Sequence, residues 1–284
     1  MKTNLPPYAS PLQRLWYFSF RTYCIIVLTF LLLPLLVIIP LSFNATPYFV
    51  FTHKMLTLDP SGYSLRWYQH LFSDPNWMHA IRSSFIIAPI ATVIATVLGT
   101  LAALGLSRSH MPFRQAITSL LILPMIVPLI ITATAAFFFF SSLHLVNTYV
   151  GIIIAHAILG IPFVVITVTA TLSGFDYQLV RAAQSLGANP RYTFFRITMP
   201  LVLPGIISGA LFAFMTSFDE VVIVMFLAGP VQRTLPLQMW NNLRYNIDPT
   251  ILAIATLIIL LSVVMLLTLE FLRRRNAKMR GLAS

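Results

Sequence analysis

Apolar residues run along this chain in six blocks, each too long and too uninterrupted for the buried face of an ordinary helix or strand. The blocks are Tyr23 to Phe43, Ile81 to Leu106, Ala116 to Phe140, Tyr149 to Leu172, Leu201 to Leu227 and Ile251 to Leu272. At ~1.5 Å per residue even the shortest reaches about 30 Å as a helix, enough to cross the hydrocarbon of a bilayer. None shows the alternation of a membrane strand. The pattern predicts an all-α polytopic membrane protein with six transmembrane helices. Residues 1–22 form an N-terminal segment, 23–272 the membrane domain with a long loop at 173–200, and 273–284 a basic tail.

Composition agrees with that class. Hydrophobic residues make up 58% of the 284 positions and charged residues only 9%, where a soluble domain carries roughly 25% charged residues. The charges that remain are unevenly placed. With the N-terminus inside, thirteen Lys and Arg fall on the inner side: Lys2, Arg14, Arg21, Arg108, Arg114, Arg181, Arg191, Arg196, Arg273, Arg274, Arg275, Lys278 and Arg280. Five fall outside, namely Lys54, Arg66, Arg82, Arg233 and Arg244. Basic residues are retained on the cytoplasmic side, so both termini are expected there. Basic inner loops facing anionic lipid account for the net charge of +11, and no nucleic acid is needed to explain it. The first block exceeds the h-region of a cleaved signal peptide and no small-residue cleavage site follows it. Cys24 is the one cysteine, so no internal disulfide is expected.

Within the blocks, Ala91, Ala95, Gly99 and Ala103 recur every four residues, as do Gly205, Gly209 and Ala213. Small residues at this spacing let helix backbones approach closely in lipid. The stripes fit packing inside one bundle or an interface with a second membrane subunit. Pro34, Pro40, Pro89, Pro124, Pro128 and Pro162 punctuate the blocks, and each removes a backbone donor.

Residues for chemistry are scarce. The six histidines, His53, His70, His79, His110, His144 and His156, show no metal-ligand spacing, and His156 reads as a hydrogen-bonding residue inside the bundle. There is no Gly-rich phosphate loop and no nucleophile elbow. The exception among the scattered carboxylates is Asp219-Glu220, set in the outer part of the fifth block. Carboxylates in an apolar run usually face a cavity or a partner. The pair suits a cationic substrate; alternatively it is structural, bonding neighbouring helices or Arg233. Trp240, Asn241 and Asn242 in the next outer loop are candidates for lining the entrance or meeting a binding protein. Ser64 to Asp74 reads as a short surface helix capped by Ser64, with Leu65, Tyr68, Leu71 and Phe72 as its apolar stripe. Trp67 and Trp77 fit an interfacial aromatic belt.

The loop RAAQSLGANPRYTFFRITMPLVLPG, from Arg181 to Gly205, is long and basic. Asp176 to Leu186 is expected to be helical, ended by Gly187 in a left-handed conformation. Asn189-Pro190 reinforces the break. Arg191 to Ile197 makes a second amphipathic piece, and Pro200 opens the next span. The result is a helix-turn-helix on the cytoplasmic surface, either a connector resting on headgroups or an element that inserts into a partner's groove.

Ala182-Ala183, Gly187, Ile197 and Pro200 resemble the EAA loop of ABC-importer permeases, in which Glu-Ala-Ala precedes three residues, Gly, nine residues, Ile, one residue and Leu-Pro. Arg181 replaces the family's Glu and Met199 its Leu, the latter nearly volume-neutral. Tyr63 to Tyr68, Ser217 to Val222, Phe226 to Pro230, Thr234 to Trp240 and Ile247 to Thr250 are similar to segments of spermidine/putrescine-type permeases. The resemblance implies a six-helix type I permease domain in the bacterial inner membrane, a transport subunit rather than an enzyme. It implies a solute such as putrescine or spermidine, with opines, amino-acid derivatives or phosphonates carried by other relatives. It makes Arg181, Ala182, Ala183, Leu186, Gly187 and Ala188 the coupling element, and Asp219, Glu220, Trp240 and Asn241 candidates for the substrate path. The implied partners are two ATPase copies that hold ATP and Mg, a second permease and an extracytoplasmic solute-binding protein. No cofactor is expected in this chain. An ion-coupled secondary transporter is the alternative, in which the loop serves topology alone.

Overall fold

The computed structural model describes residues 10–108, 111–245 and 247–279. Lys2, His110 and Arg280 lie outside the described residues, as do the side chains of Arg273, Arg274, Arg275 and Lys278. The main helices are α1 (Pro11–Leu41), α2 (Arg66–Ser73), α3 (Pro75–Leu106), α4 (Arg114–Ile126), α5 (Leu129–Ser142) and α6 (Tyr149–Ser173). They continue with α7 (Gln178–Ser185), α8 (Pro190–Phe218), α9 (Val222–Leu227), α10 (Leu235–Tyr245) and α11 (Thr250–Met279). Five of them are long and apolar enough to cross a membrane, and the bent α4–α5 pair makes a sixth if it is one span.

Cap chemistry sets where the helices start. Ser10 and Gln13 form a capping box, with Gln13 N–H on Ser10 Oγ at 3.3 Å and Ser10 N–H on Gln13 Oε1 at 3.0 Å. With Pro11 in the first turn, α1 therefore begins well before the expected Tyr23. Asp74 accepts from Asn76 N–H at 2.7 Å and starts α3 at Pro75 rather than Ile81.

Two expected spans take a different form. The third is not one helix: α4 and α5 meet at 102°. Pro124 lies inside α4, and Pro128 holds Val127 extended at φ −67°, ψ 135°, because a residue before proline is driven out of the helical region. The fifth span stops at Phe218; residues 219–221 interrupt it before the short α9. At its other end, Pro200 does not open a new helix. The helix runs through from Pro190, and a wide turn at Phe194–Thr198 precedes the proline. Such a turn relieves the clash of the ring with the preceding carbonyl.

The chain divides into two compact units, Met1–Leu71 with Ile247–Val263, and Phe72–Asn246 with Val264–Ser284. In the first, buried Asn44 organises the segment after α1. Its Nδ2 donates to the carbonyls of Tyr48 (2.9 Å) and Val50 (2.8 Å), and its Oδ1 accepts from Thr46 N–H at 2.9 Å. Its own carbonyl accepts from Trp67 Nε1 at 2.7 Å. Trp67 is buried, as is Trp77 in the second unit, so neither belongs to an interfacial belt. The inward face of α2 is Trp67 and Leu71, one turn apart, while Leu65 and Phe72 are exposed. Ser64 caps this helix, its Oγ accepting from Arg66 N–H at 3.2 Å.

In the second unit α6 runs between α3 and α8. Ala91, Ala95, Gly99 and Ala103 of α3 are buried, and so are Gly205, Gly209 and Ala213 of α8. A Cβ on Gly160 of α6 would lie 3.0 Å from the Cβ atoms of both Ala95 and Ala213. One on Gly99 would lie 2.7 Å from Val164 Cβ. Both stripes are thus used for packing inside this chain. His156 is buried in α6, and its Nδ1 shares a 2.8 Å hydrogen bond with Ser217 Oγ on α8.

Candidate coupling loop and substrate-path residues

The loop after α6 folds by short-range rules. Asp176 Oδ1 accepts from Gln178 N–H at 2.8 Å as α7 begins. Leu186 caps the helix and Gly187 follows at φ +85°. Gly187 N–H then donates to Gln184 O, and Ala188 N–H to Ala183 O, each at 3.0 Å. This pair of bonds is the Schellman arrangement, and it satisfies carbonyls that a helix end leaves unpaired. Asn189 Oδ1 next accepts from Tyr192 N–H at 2.7 Å, and Pro190 occupies the first turn of α8. The expected helix and Gly187 turn are both present. The expected second piece is instead the first turns of α8.

Two faces of α7 differ. Tyr177, Val180 and Arg181 line a cavity shared with the end of α3. Leu179 and Leu186 are exposed, Leu186 by 88%, and Ala182 is exposed beside them. Ala183 and Ala188 are half-buried at the turn. A leucine so open on a short helix has no partner inside the described residues of this chain, and small neighbours leave room for one to approach.

The acidic pair is split by the end of α8. Asp219 closes that helix, its N–H on Met215 O at 3.0 Å, and its side chain is exposed. Glu220 is buried, and its Oε1 accepts from Ile223 N–H at 2.7 Å, satisfying a free donor at the start of α9. Arg233 donates to Gln238 Oε1 at 3.0 Å, and Gln238 Nε2 to Asn242 Oδ1 at 3.2 Å. Trp240 is 39% exposed with the Arg244 guanidinium 4.8 Å above its ring, and Asn241 is half-buried. Asp219 and the α7 turn stand near opposite ends of α8, a rod about 40 Å long.

Several organising contacts carry no sequence signal. The Val231 carbonyl gathers Tyr149 Oη at 2.9 Å and the His79 ring, and Ser84 Oγ accepts from Leu235 N–H at 2.8 Å. These link segments far apart in the chain, and no local pattern announces them. Among the described residues, no group of three His, Cys, Asp or Glu side chains is placed to hold a metal.

Comparison with known proteins bears on this arrangement. The sequence profile described as "Binding-protein-dependent transport system inner membrane component" matches residues 95–278. The spermidine/putrescine transport system permease protein PotC of Haemophilus influenzae is 29% identical, over 92% of this chain and 98% of its own. The putrescine transport system permease protein PotI of Escherichia coli (strain K12) is 35% identical, over 81% of this chain and 82% of its own. A solved bacterial ABC transporter involved in import of the acidic polysaccharide alginate shares the fold, with a TM-score of 0.72 at 14% identity over 95% of this chain and 99% of that one. The chain belongs to the inner membrane components of binding-protein-dependent transport systems, as a multi-pass permease subunit of an ABC importer.

Proposed function

We propose that this permease carries a polyamine such as putrescine or spermidine, and that α7 with its Gly187 turn docks in a groove of a cytoplasmic ATPase. The observation that carries the docking reading is Leu186, exposed by 88% directly before a turn that only a positive φ permits. Leu179, Ala182 and Ala183 extend that surface, and Ala188 completes the turn. The substrate reading rests on relatives named as spermidine/putrescine and putrescine permeases, and on the exposed carboxylate of Asp219. Glu220 is the structural member of the pair, while Trp240 and Asn241 stand beside the path.

In this reading the chain pairs with a second permease, and two ATPase copies bind ATP and Mg. A solute-binding protein delivers the polyamine on the extracytoplasmic side. Both termini and α7 are cytoplasmic in this reading, which the distribution of Lys and Arg supports. A continuous α8 transmits motion, since α7 joins one end of it and Asp219 the other. The test is uptake of labelled putrescine and spermidine by proteoliposomes holding the whole assembly. ATP-dependent uptake, competed by other polyamines and not by amino-acid derivatives or phosphonates, is the expected result. Competition by the latter alone overturns the substrate.

A further inference from the structure

The face of α7 turned away from Leu186 borders an open cavity of about 1100 Å³ against the end of α3. On α3 its lining runs Leu101, Leu104 and Gly105, spacings that fall along one helical face, and Arg108 follows just past the helix end. The order is apolar first and then cationic, from the membrane span toward its end. On α7, Val180 and Arg181 repeat the same pairing. Leu101 is 60% exposed, so the apolar part of the cavity opens outward from the helix. None of the described lining residues is acidic, and Asp176 nearby is engaged by the Gln178 N–H.

An apolar wall that ends in two guanidinium groups matches one ligand chemistry: an acyl chain that ends in a phosphate. Arginine forks bind phosphate oxygens in pairs. We propose that this cavity is a binding site for the headgroup and upper acyl chain of an anionic phospholipid, held by Arg108 and Arg181. The lipid would brace α7 against α3 from behind, leaving the Leu186 face free. The leaflet that supplies it follows from the cytoplasmic placement proposed above; binding itself depends on neither ATPase nor transport.

The test is native mass spectrometry of the full-length chain, purified in mild detergent and exposed to phosphatidylglycerol or phosphatidylcholine of the same chain length. The wild-type chain is expected to retain phosphatidylglycerol about tenfold more than phosphatidylcholine, given two interfacial cations. Arg108→Gln with Arg181→Gln is expected to bring retention down to the phosphatidylcholine level. Gly105→Leu supplies a second variant that keeps both charges. Among the described residues a Cβ there meets only Met111 Sδ at 4.0 Å, so the added side chain grows into the cavity rather than into packed atoms. It is expected to abolish selective retention while the protein elutes as a single species. Equal retention of the two lipids, or selectivity that survives both variants, overturns the site. Displacement of the lipid by millimolar inorganic phosphate would make it a free-anion site and overturn the lipid assignment.

Discussion

The N–H of Ala188 donates to the carbonyl of Ala183 at 3.0 Å, across a Gly187 whose φ is +85°. That bond reverses the chain between α7 and α8 and leaves Leu186 projecting from the turn. A left-handed residue costs an L-amino acid about 1–2 kcal/mol, and more for one branched at Cβ. Gly187→Val is therefore expected to disrupt the turn without removing the protein from the membrane. Membrane abundance should stay near wild type while ATP-driven uptake falls at least tenfold. Normal uptake by this variant would count heavily against the docking role.

Leu186 is the complementary case. Its side chain has little to lose from folding, so Leu186→Ser should change thermal stability by less than about 0.5 kcal/mol, as for most exposed substitutions. Recovery of the ATPase with the purified chain should fall. Intact recovery would place the docking contact elsewhere on the loop.

Asp219 and Glu220 should separate cleanly. Asp219→Asn is expected to raise the KM for putrescine uptake with protein amount unchanged, because the side chain is exposed and its backbone bond to Met215 is kept. Glu220→Ala should instead lower the amount of folded protein. It leaves the Ile223 N–H buried without its acceptor, a loss of about 1–3 kcal/mol. Measuring KM and folded yield together for both variants distinguishes the roles, and identical behaviour would contradict them.

Gly209 tests the bundle. A Cβ there would lie 2.8 Å from the Cα of Val164, backbone that cannot swing aside. Gly209→Ala is expected to destabilise the protein by about 1–3 kcal/mol through overpacking, read as a lower detergent-resistant melting temperature. An unchanged melting temperature would mean that α6 and α8 do not sit this close.

These contrasts show which features were local enough to read in the sequence. Gly187, Asn189 and Pro190 act through neighbours within four residues, so the turn after α7 was legible from residue types alone. The small-residue stripes were legible too, but not their partner: only the packed helices put Gly160 opposite Ala95 and Ala213. The 102° break at Pro128 was written in the sequence by Pro124 and Pro128, yet the apolar run across them read as one span. Hydropathy records burial and not direction. Trp67 misled in the same way, since an amphipathic ring satisfied by the Asn44 carbonyl has the same composition as one at a lipid surface. The burial of Glu220 beside an exposed Asp219 was hidden because it depends on where α8 ends.

In its proposed role the α7 turn joins the permease to its source of energy. Its most direct test is mild-detergent purification of the tagged chain from its own host, comparing wild type with Gly187→Val by mass spectrometry of the bound proteins. An ATPase subunit and a second permease are expected with the wild-type chain, and loss of the ATPase with the variant. A variant that keeps the ATPase in full, or a wild-type chain that purifies alone and transports in vesicles without ATP, would contradict it.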